Sequence, residues 1–379
     1  MAKARTWRYV MTAAGALGAA VLGALLFMAS GLYDIGASKP HLAVTHWLLD
    51  FAKRRSIETQ SILIRAPASL EDLDLVTLGA AHYRGGCAPC HGAPGEPRNP
   101  IASSMLPQPA DLLRVAPSWT SAQLYWIVRN GFKYTGMPAW PDVAREDEVW
   151  ALVAFLRTLP TMTPEHYARL SAGGLASPSR SGREIAEFGA GVDALSRCAR
   201  CHDPPAPGAA SALVPRLAGQ SRAYLELALR DYAEGRRASG VMRPVVAELD
   251  KESIGLLAGY YAELPPMRSA AAPEDAGMKR GRTIAERGDP ETGVPACLAC
   301  HGAASAATFP RLDGQSARYL ESQLRLLKSG QRGESVQSRI MAVIAARLSD
   351  EQIDSVTRYF ASVQPAAKPA PSTQRPARR

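Results

Sequence analysis

At 379 residues, 46% of them hydrophobic, the chain is long enough for two or three domains. Its formal net charge of +9 sits largely at the two ends, on Lys3, Arg5 and Arg8 and on Lys368, Arg375, Arg378 and Arg379, so the body is near neutral. That placement, without any interleaved basic and aromatic patch, argues against a nucleic-acid partner.

Residues 1–30 hold an uncharged apolar run from Val10 to Met28, about as long as the ~20 residues a bilayer-spanning helix needs. The three basic residues before it orient the N-terminus towards the cytoplasm. A cleaved signal peptide is the competing reading. The length of the run, with no clean A-x-A site after Met28, favours an uncleaved anchor. Either reading exports the rest of the chain. Residues 31–71 mix Leu42, Val44, Trp47, Leu48, Leu49 and Phe51 with Lys53, Arg54 and Arg55, which predicts an amphipathic segment near the membrane surface. His41 and His46 belong to this surface rather than to a metal site.

Residues 72–160 form a first module. A helix over Asp72 to Tyr83, with Gly79 placed for close helix approach, leads into Cys87-Ala-Pro-Cys90-His91. Pro- and Gly-rich loop follows. A second helix runs from Trp119 to Val128 with Ser118 as its cap, and a closing helix from Asp147 to Leu159 ends at Pro160. Residues 161–181 read as a linker. Residues 182–265 and 281–363 form a second and a third module, separated by a linker at 266–280. Their motifs are Cys198-Ala-Arg-Cys201-His202 and Cys297-Leu-Ala-Cys300-His301, and these three motifs hold all six cysteines. Residues 364–379 are a Pro-, Ala- and Arg-rich tail, predicted to be disordered.

C-x-x-C-H is the attachment signature of c-type haem. Two thiols one helical turn apart can each bond a haem vinyl group, and the next residue, His, lies under the iron. A zinc site would need further ligands, and no other Cys exists. The expected cofactors are therefore three covalently bound haems. They attach at Cys87 and Cys90, at Cys198 and Cys201, and at Cys297 and Cys300, with His91, His202 and His301 as iron ligands.

Met supplies the opposite ligand. In Gly136-Met137-Pro138, a Pro-bounded loop, Met137 lies 46 residues after His91. Met242 and Met341 each lie 40 residues after their motif histidines, although the intervening loops differ by four residues in each half. A core-filling Met is the alternative in each case, but equal spacing across unequal loops speaks for ligation. Met105 lies too near His91 in sequence to compete.

The second and third modules repeat one another. Gly182-Arg-Glu-Ile185-Ala-Glu187 matches Gly281-Arg-Thr-Ile284-Ala-Glu286, and Pro215-Arg-Leu-Ala-Gly-Gln-Ser221 matches Pro310-Arg-Leu-Asp-Gly-Gln-Ser316. Tyr224-Leu-Glu226 matches Tyr319-Leu-Glu321, and closing helices run from Lys251 to Leu264 and from Asp350 to Val363. A ligating His usually donates its other ring N–H to an oxygen. The carbonyls of Pro215 and Pro310 are the expected acceptors, and Pro107 or Pro109 their counterpart in the first module.

On these residues the chain resembles class I cytochromes c over 72–363. The repeated pair is similar to the tandem lobes of dihaem cytochromes c. Through Gly136-Met-Pro-Ala-Trp140 and its Trp-Ala-Leu-Val-Ala-Phe-Leu helix, the first module resembles the cytochrome domains of oxidase and dehydrogenase subunits. The resemblance implies an all-α fold of three class I domains in series behind a membrane helix, on the periplasmic side of a bacterial inner membrane. It implies single-electron transfer between a donor and a respiratory acceptor, with a terminal oxidase, a quinol-oxidising complex or a periplasmic dehydrogenase as partner. Two other expectations compete: a haem enzyme with one open iron, for which Met242 has the least typical setting, and a redox sensor or assembly factor.

Overall fold

The computed structural model describes residues 2–34, 36, 38–96, 98–171, 194–202, 211–247, 249–266, 275–302 and 305–365. The repeated segment at 182–187 and the tail beyond 365 lie outside the described residues. Every regular element described is helical, joined by loops and three isolated bridges.

Helix α1 (Ala2–Ala29) holds the apolar run, and its stretch Arg5–Ala29 is long and apolar enough to cross a membrane. Helix α2 (Ala43–Gln60) buries Ile57 and sets Arg54 5.4 Å from the ring of Trp119. Around its N-terminal half Leu42, Val44, Trp47, Leu48 and Leu49 are all exposed.

The first module is built on the crossing of α3 (Leu73–Gly86) and α5 (Glu146–Thr158). Asp72 starts α3 by accepting from the Asp74 N–H at 2.9 Å. At the crossing a Cβ on Gly79 would collide with the Ala151 carbonyl oxygen, so only glycine lets the two backbones approach. Tyr83 and Phe155 are fully buried there with ring centroids 5.0 Å apart. Each such side chain contributes about 1.5–3 kcal/mol through burial. The Tyr83 hydroxyl donates to the Gly92 carbonyl at 2.6 Å and pins the loop leaving the first motif. Helix α4 (Ser121–Asn130) is started by Thr120, not Ser118: Thr120 and Gln123 form a reciprocal cap. The Ser118 hydroxyl instead bonds back to Val115. Within the segment read as linker, α6 (Pro164–Ser171) packs on this core through the fully buried Tyr167.

In the second module α7 (Arg222–Ala233) packs on α9 (Lys251–Glu263) through Leu225, Ala258 and Tyr261, and the short α8 (Met242–Val246) lies between them in sequence. In the third, α10 (Ala276–Arg287) crosses α13 (Asp350–Ser362), with α11 (Ala317–Lys328) and α12 (Val336–Arg347) completing the wall. Gly281 repeats the role of Gly79, against the Ser355 carbonyl.

The modules are joined by direct hydrogen bonds. Between the second and third, the Gln315 side chain accepts from Arg216 N at 2.9 Å and donates to Arg216 O at 3.0 Å. Gln220 does the same to Arg311, at 2.9 and 2.7 Å. Asp74 of the first module meets both others: its side chain accepts from Ala212 N at 2.8 Å and is paired with Arg318.

Gly79→Val is expected to cost about 1–3 kcal/mol by forcing the α3–α5 crossing apart. Thermal unfolding of the full chain checks this, and an unchanged midpoint would show that the crossing has slack.

Candidate functional site

Each motif is wound as one helical turn. The N–H of His91, His202 and His301 donates to the carbonyl of Cys87, Cys198 and Cys297 respectively, at 2.9 Å in all three. The turn brings both thiols and the imidazole to one side. The six cysteines form no disulfides with one another. Burial pushes the Cys87 thiol up to about 12 and the Cys297 thiol up to about 11. Among the described residues no group of three or more His, Cys, Asp and Glu side chains converges on a metal ion.

Each motif histidine is oriented by a backbone carbonyl. His202 Nδ1 donates to Pro215 O and His301 Nδ1 to Pro310 O, both at 2.9 Å, as the sequence predicts. In the first module His91 Nδ1 donates to Ala110 O at 2.8 Å, and neither Pro107 nor Pro109 is the acceptor. The Pro109 carbonyl is taken by Arg98 at 2.6 Å, so the acceptor moves one residue on. With Nδ1–H engaged, Nε2 is the lone-pair nitrogen in each ring. Burial holds the pKa of His91 and His301 below the ordinary histidine value, which keeps them neutral.

All twelve residues singled out in the sequence line two large cavities. One, of about 980 Å³, is lined by Cys87, Cys90, His91 and Met137 together with Cys198, Cys201, His202 and Met242. The other is lined by Cys198, His202 and Met242 together with Cys297, Cys300, His301 and Met341. Second-module residues therefore face both. His41 and His46 line neither, and His41 lies 2.9 Å from the Tyr33 hydroxyl. The methyl of Met105 abuts Gly136 beside Met137, but Met105 does not line the cavities.

Sequence reasoning missed the buried polar groups between the modules. Glu148, 5% exposed, accepts from Ser239 Oγ and Gly240 N at 2.6 Å each and from Trp140 Nε1 at 3.3 Å. Arg145 lies 3.0 Å from the same carboxylate and donates to Ala238 O at 2.8 Å. One carboxylate thus ties the segment after Met137 to the segment before Met242. Burial pushes its pKa up, and Arg145 works against that. The available signal was its register: Glu148, Leu152, Phe155 and Leu159 fall on one buried stripe. His82, unremarked in the sequence, lines the first cavity and packs against Trp140 at a tilt of 56°, with centroids 4.7 Å apart.

Two arginines face the cavity shared by the second and third modules. Arg237 donates to the hydroxyls of Tyr319 at 3.1 Å and Tyr224 at 3.4 Å, and it lies 4.5 Å from the Tyr232 ring. Arg332 donates to Gln323 at 2.6 Å and Ser338 at 3.1 Å. Burial, then the neighbouring Arg237, pulls the Arg332 pKa down. The signal here was a repeat: each arginine stands two residues after the glycine that ends α7 or α11, Gly235 or Gly330.

Helical modules whose Cys-x-x-Cys-His turns face apolar cavities define a c-type cytochrome. Residues 74–156 match the family model of the cbb3-type cytochrome c oxidase subunit III. The chain is 37% identical over 186 residues to a thiosulfate dehydrogenase electron acceptor of Stutzerimonas stutzeri, covering 48% of this chain and 86% of that protein. It is 38% identical over 168 residues to cytochrome c4 of Thiocapsa roseopersicina, covering 43% and 85%. The crystal structure of reduced cytochrome c4 from Pseudomonas stutzeri is similar at 29% identity and a TM-score of 0.40, over 44% of this chain and 93% of that one. The chain belongs to the c-type cytochrome family that includes cytochrome c4 and these electron acceptors, and it is a multihaem electron carrier.

That family carries covalently bound c-type haem, and the residues present fit the group. Each motif turn sets two thiols beside an oriented imidazole at an apolar cavity. The buried Arg237 and the partly buried Arg332 supply cationic charge suited to haem carboxylates.

Glu148→Ala is expected to cost about 3 kcal/mol, the lower end for a broken buried ion pair, because Arg145 keeps Asp147 at 2.8 Å. Glu148→Gln, which keeps one acceptor oxygen, is expected to lose less. Urea unfolding of both variants checks the order.

A pH effect follows from His82. Burial, then the adjacent Arg200 charge, lowers its pKa from 6.5 to about 4. Between those values the unfolded chain binds a proton there that the folded chain does not. Stability therefore falls as pH drops through that window, by up to about 1.4 kcal/mol per pH unit. His82→Phe is expected to flatten this part of the acid profile, and parallel profiles for the two proteins would refute the assignment.

Proposed function

We propose that the chain is a membrane-anchored trihaem electron relay in which the second module is the middle station. One observation carries the reading: motif residues of the second module line both cavities, which it shares with the first and third modules in turn. In this reading each module, with the bounds given above, holds one haem. Cys87 and Cys90, Cys198 and Cys201, and Cys297 and Cys300 form the thioethers. His91 and Met137, His202 and Met242, and His301 and Met341 would hold the iron of the three groups.

The bound haem supplies a centre that gains and loses one electron at a time. The protein's own groups do the rest. The carbonyls of Ala110, Pro215 and Pro310 hold each imidazole in one orientation. Met137, Met242 and Met341 would complete the hold on the iron and keep small molecules from it. Arg237 and Arg332 offset negative charge in the shared cavity, and the glutamine clamps hold neighbouring modules in register.

Helix α1 serves as anchor, with the modules on the outer face of a bacterial inner membrane and α2 resting at the lipid surface. The names of the relatives support a dehydrogenase as the electron donor; in this reading it is periplasmic, and a terminal oxidase or other respiratory complex is the acceptor.

The purified protein is expected to hold three haems, all low-spin, whose reduced spectrum ignores carbon monoxide. Cys198→Ala combined with Cys201→Ala should lower the count to two and break rapid equilibration between the outer haems. A wild-type haem that binds carbon monoxide would refute the relay and favour an open-iron enzyme, with Met242 the first residue to test.

A further inference from the structure

The second and third modules hold their methionines by different means. Met341 is the sixth residue of α12, a helix of 12 residues, so its N–H is carried by helical bonding to the preceding turn. Met242 is the first residue of α8, a helix of only 5 residues. Its N–H is one of the helix-end groups that no helical carbonyl can reach. It donates instead to Ser239 Oγ at 2.9 Å, and the Val241 N–H donates to the same oxygen at 3.2 Å. The Ser239 hydroxyl, 2% exposed, gives its own proton to Glu148 of the first module at 2.6 Å. A chain of two hydrogen bonds therefore runs from a carboxylate of the first module to the backbone of Met242.

The stretch before Met242 is gripped from both sides. The third module takes the Arg236 carbonyl, which accepts from Glu334 N at 2.8 Å and Ser335 N at 3.0 Å, and the Ala238 N–H, which donates to Arg332 O at 3.1 Å. The first module takes the next groups along: Ala238 O through Arg145, then Ser239 Oγ and Gly240 N through Glu148. A Cβ on Gly240 would strike Trp140 Nε1, so only glycine admits the indole there. The repeat puts Ser338 and Arg339 at the corresponding places in the third module, the same distances after the motif histidine. There Ser338 bonds within its own module, to Arg332 and Ser335. The first module closes its methionine loop by itself, with Phe132 N donating to Met137 O at 3.1 Å.

We propose that Glu148 is a positioning residue for Met242: a carboxylate of the first module, acting through Ser239, holds the methionine of the second module at its cavity. The proposal rests on the relay reading, in which Met242 holds iron. It adds that the middle centre is closed only while the first module is seated.

The test uses the full-length, haem-loaded protein in detergent, with Ser239→Ala, Glu148→Gln and Met242→Ala. Ser239→Ala removes the oxygen between the carboxylate and Met242 and leaves Glu148 its contacts with Arg145, Gly240 and Trp140. Glu148→Gln cannot serve Ser239 and Gly240 together, because one of its two acceptor positions becomes a donor. Amide exchange in the peptide 239–243 is expected to rise about tenfold in both variants. In each, the oxidised protein is expected to lose about a third of its sulfur-to-iron charge-transfer band, and the reduced protein to bind about one carbon monoxide per chain. Met242→Ala should give the same spectrum, and adding either other change to it should alter nothing further. Unchanged exchange in both variants would overturn the proposal whatever the spectra. So would a full band in both while Met242→Ala loses its share, or a loss spread evenly over the three haems, which marks a general loosening of the fold. A Met242→Ala spectrum identical to that of the wild type would instead mark failure of the relay reading, and exchange alone would then judge the tether.

Discussion

The structure depends on a two-residue stretch of backbone used twice. Pro215 offers its carbonyl to His202, and the next residue, Arg216, has its N–H and C=O held by Gln315 of the third module. Pro310 and Arg311 repeat this with His301 and Gln220. The bond that orients each histidine and the bond that joins the modules are thus one peptide apart. Neither imidazole can turn, and neither module can slide, without straining the other. An electron relay benefits from such coupling because transfer depends on fixed distances and fixed ligand fields.

The first module is held differently. Its histidine acceptor is Ala110, outside any repeated motif, and its junction with the second module runs through Trp140, Arg145 and Glu148. Glu148 and Arg145 are buried, and burying charge is costly unless it is paired and hydrogen-bonded. Here both conditions are met, with donors from the segment before Met242. The gain is specificity of seating: a shifted first module would leave an unpaired charge buried.

Much of the local architecture was readable in the sequence. The motif turns, the helix order, the Gly79 crossing and the Pro215 and Pro310 carbonyls follow from spacing and backbone chemistry that act over short distances. What escaped reading concerns pairs of distant segments. The repeated Gln220 and Gln315 showed that two segments share a role, but not that they exercise it on each other. Glu148 stands in the first turn of α5, where an acid is ordinarily a surface residue favoured by the helix dipole, so its burial under another module left only a faint trace. Thr120 displaced Ser118 as a cap because the reciprocal bond with Gln123 satisfies two helix-end groups at once.

The glutamine clamp has an architectural consequence. Each partner gives and receives the same bonds, so the junction is isologous and closes on itself. A pair joined in this way is complete, and no third module can be added through the same surface. The junction between the first and second modules is heterologous, one kind of surface meeting another, and such contacts can be continued. The closed pair is thus a fixed two-module unit, and the first module is added to it from outside, through a different kind of contact that reaches both of its members.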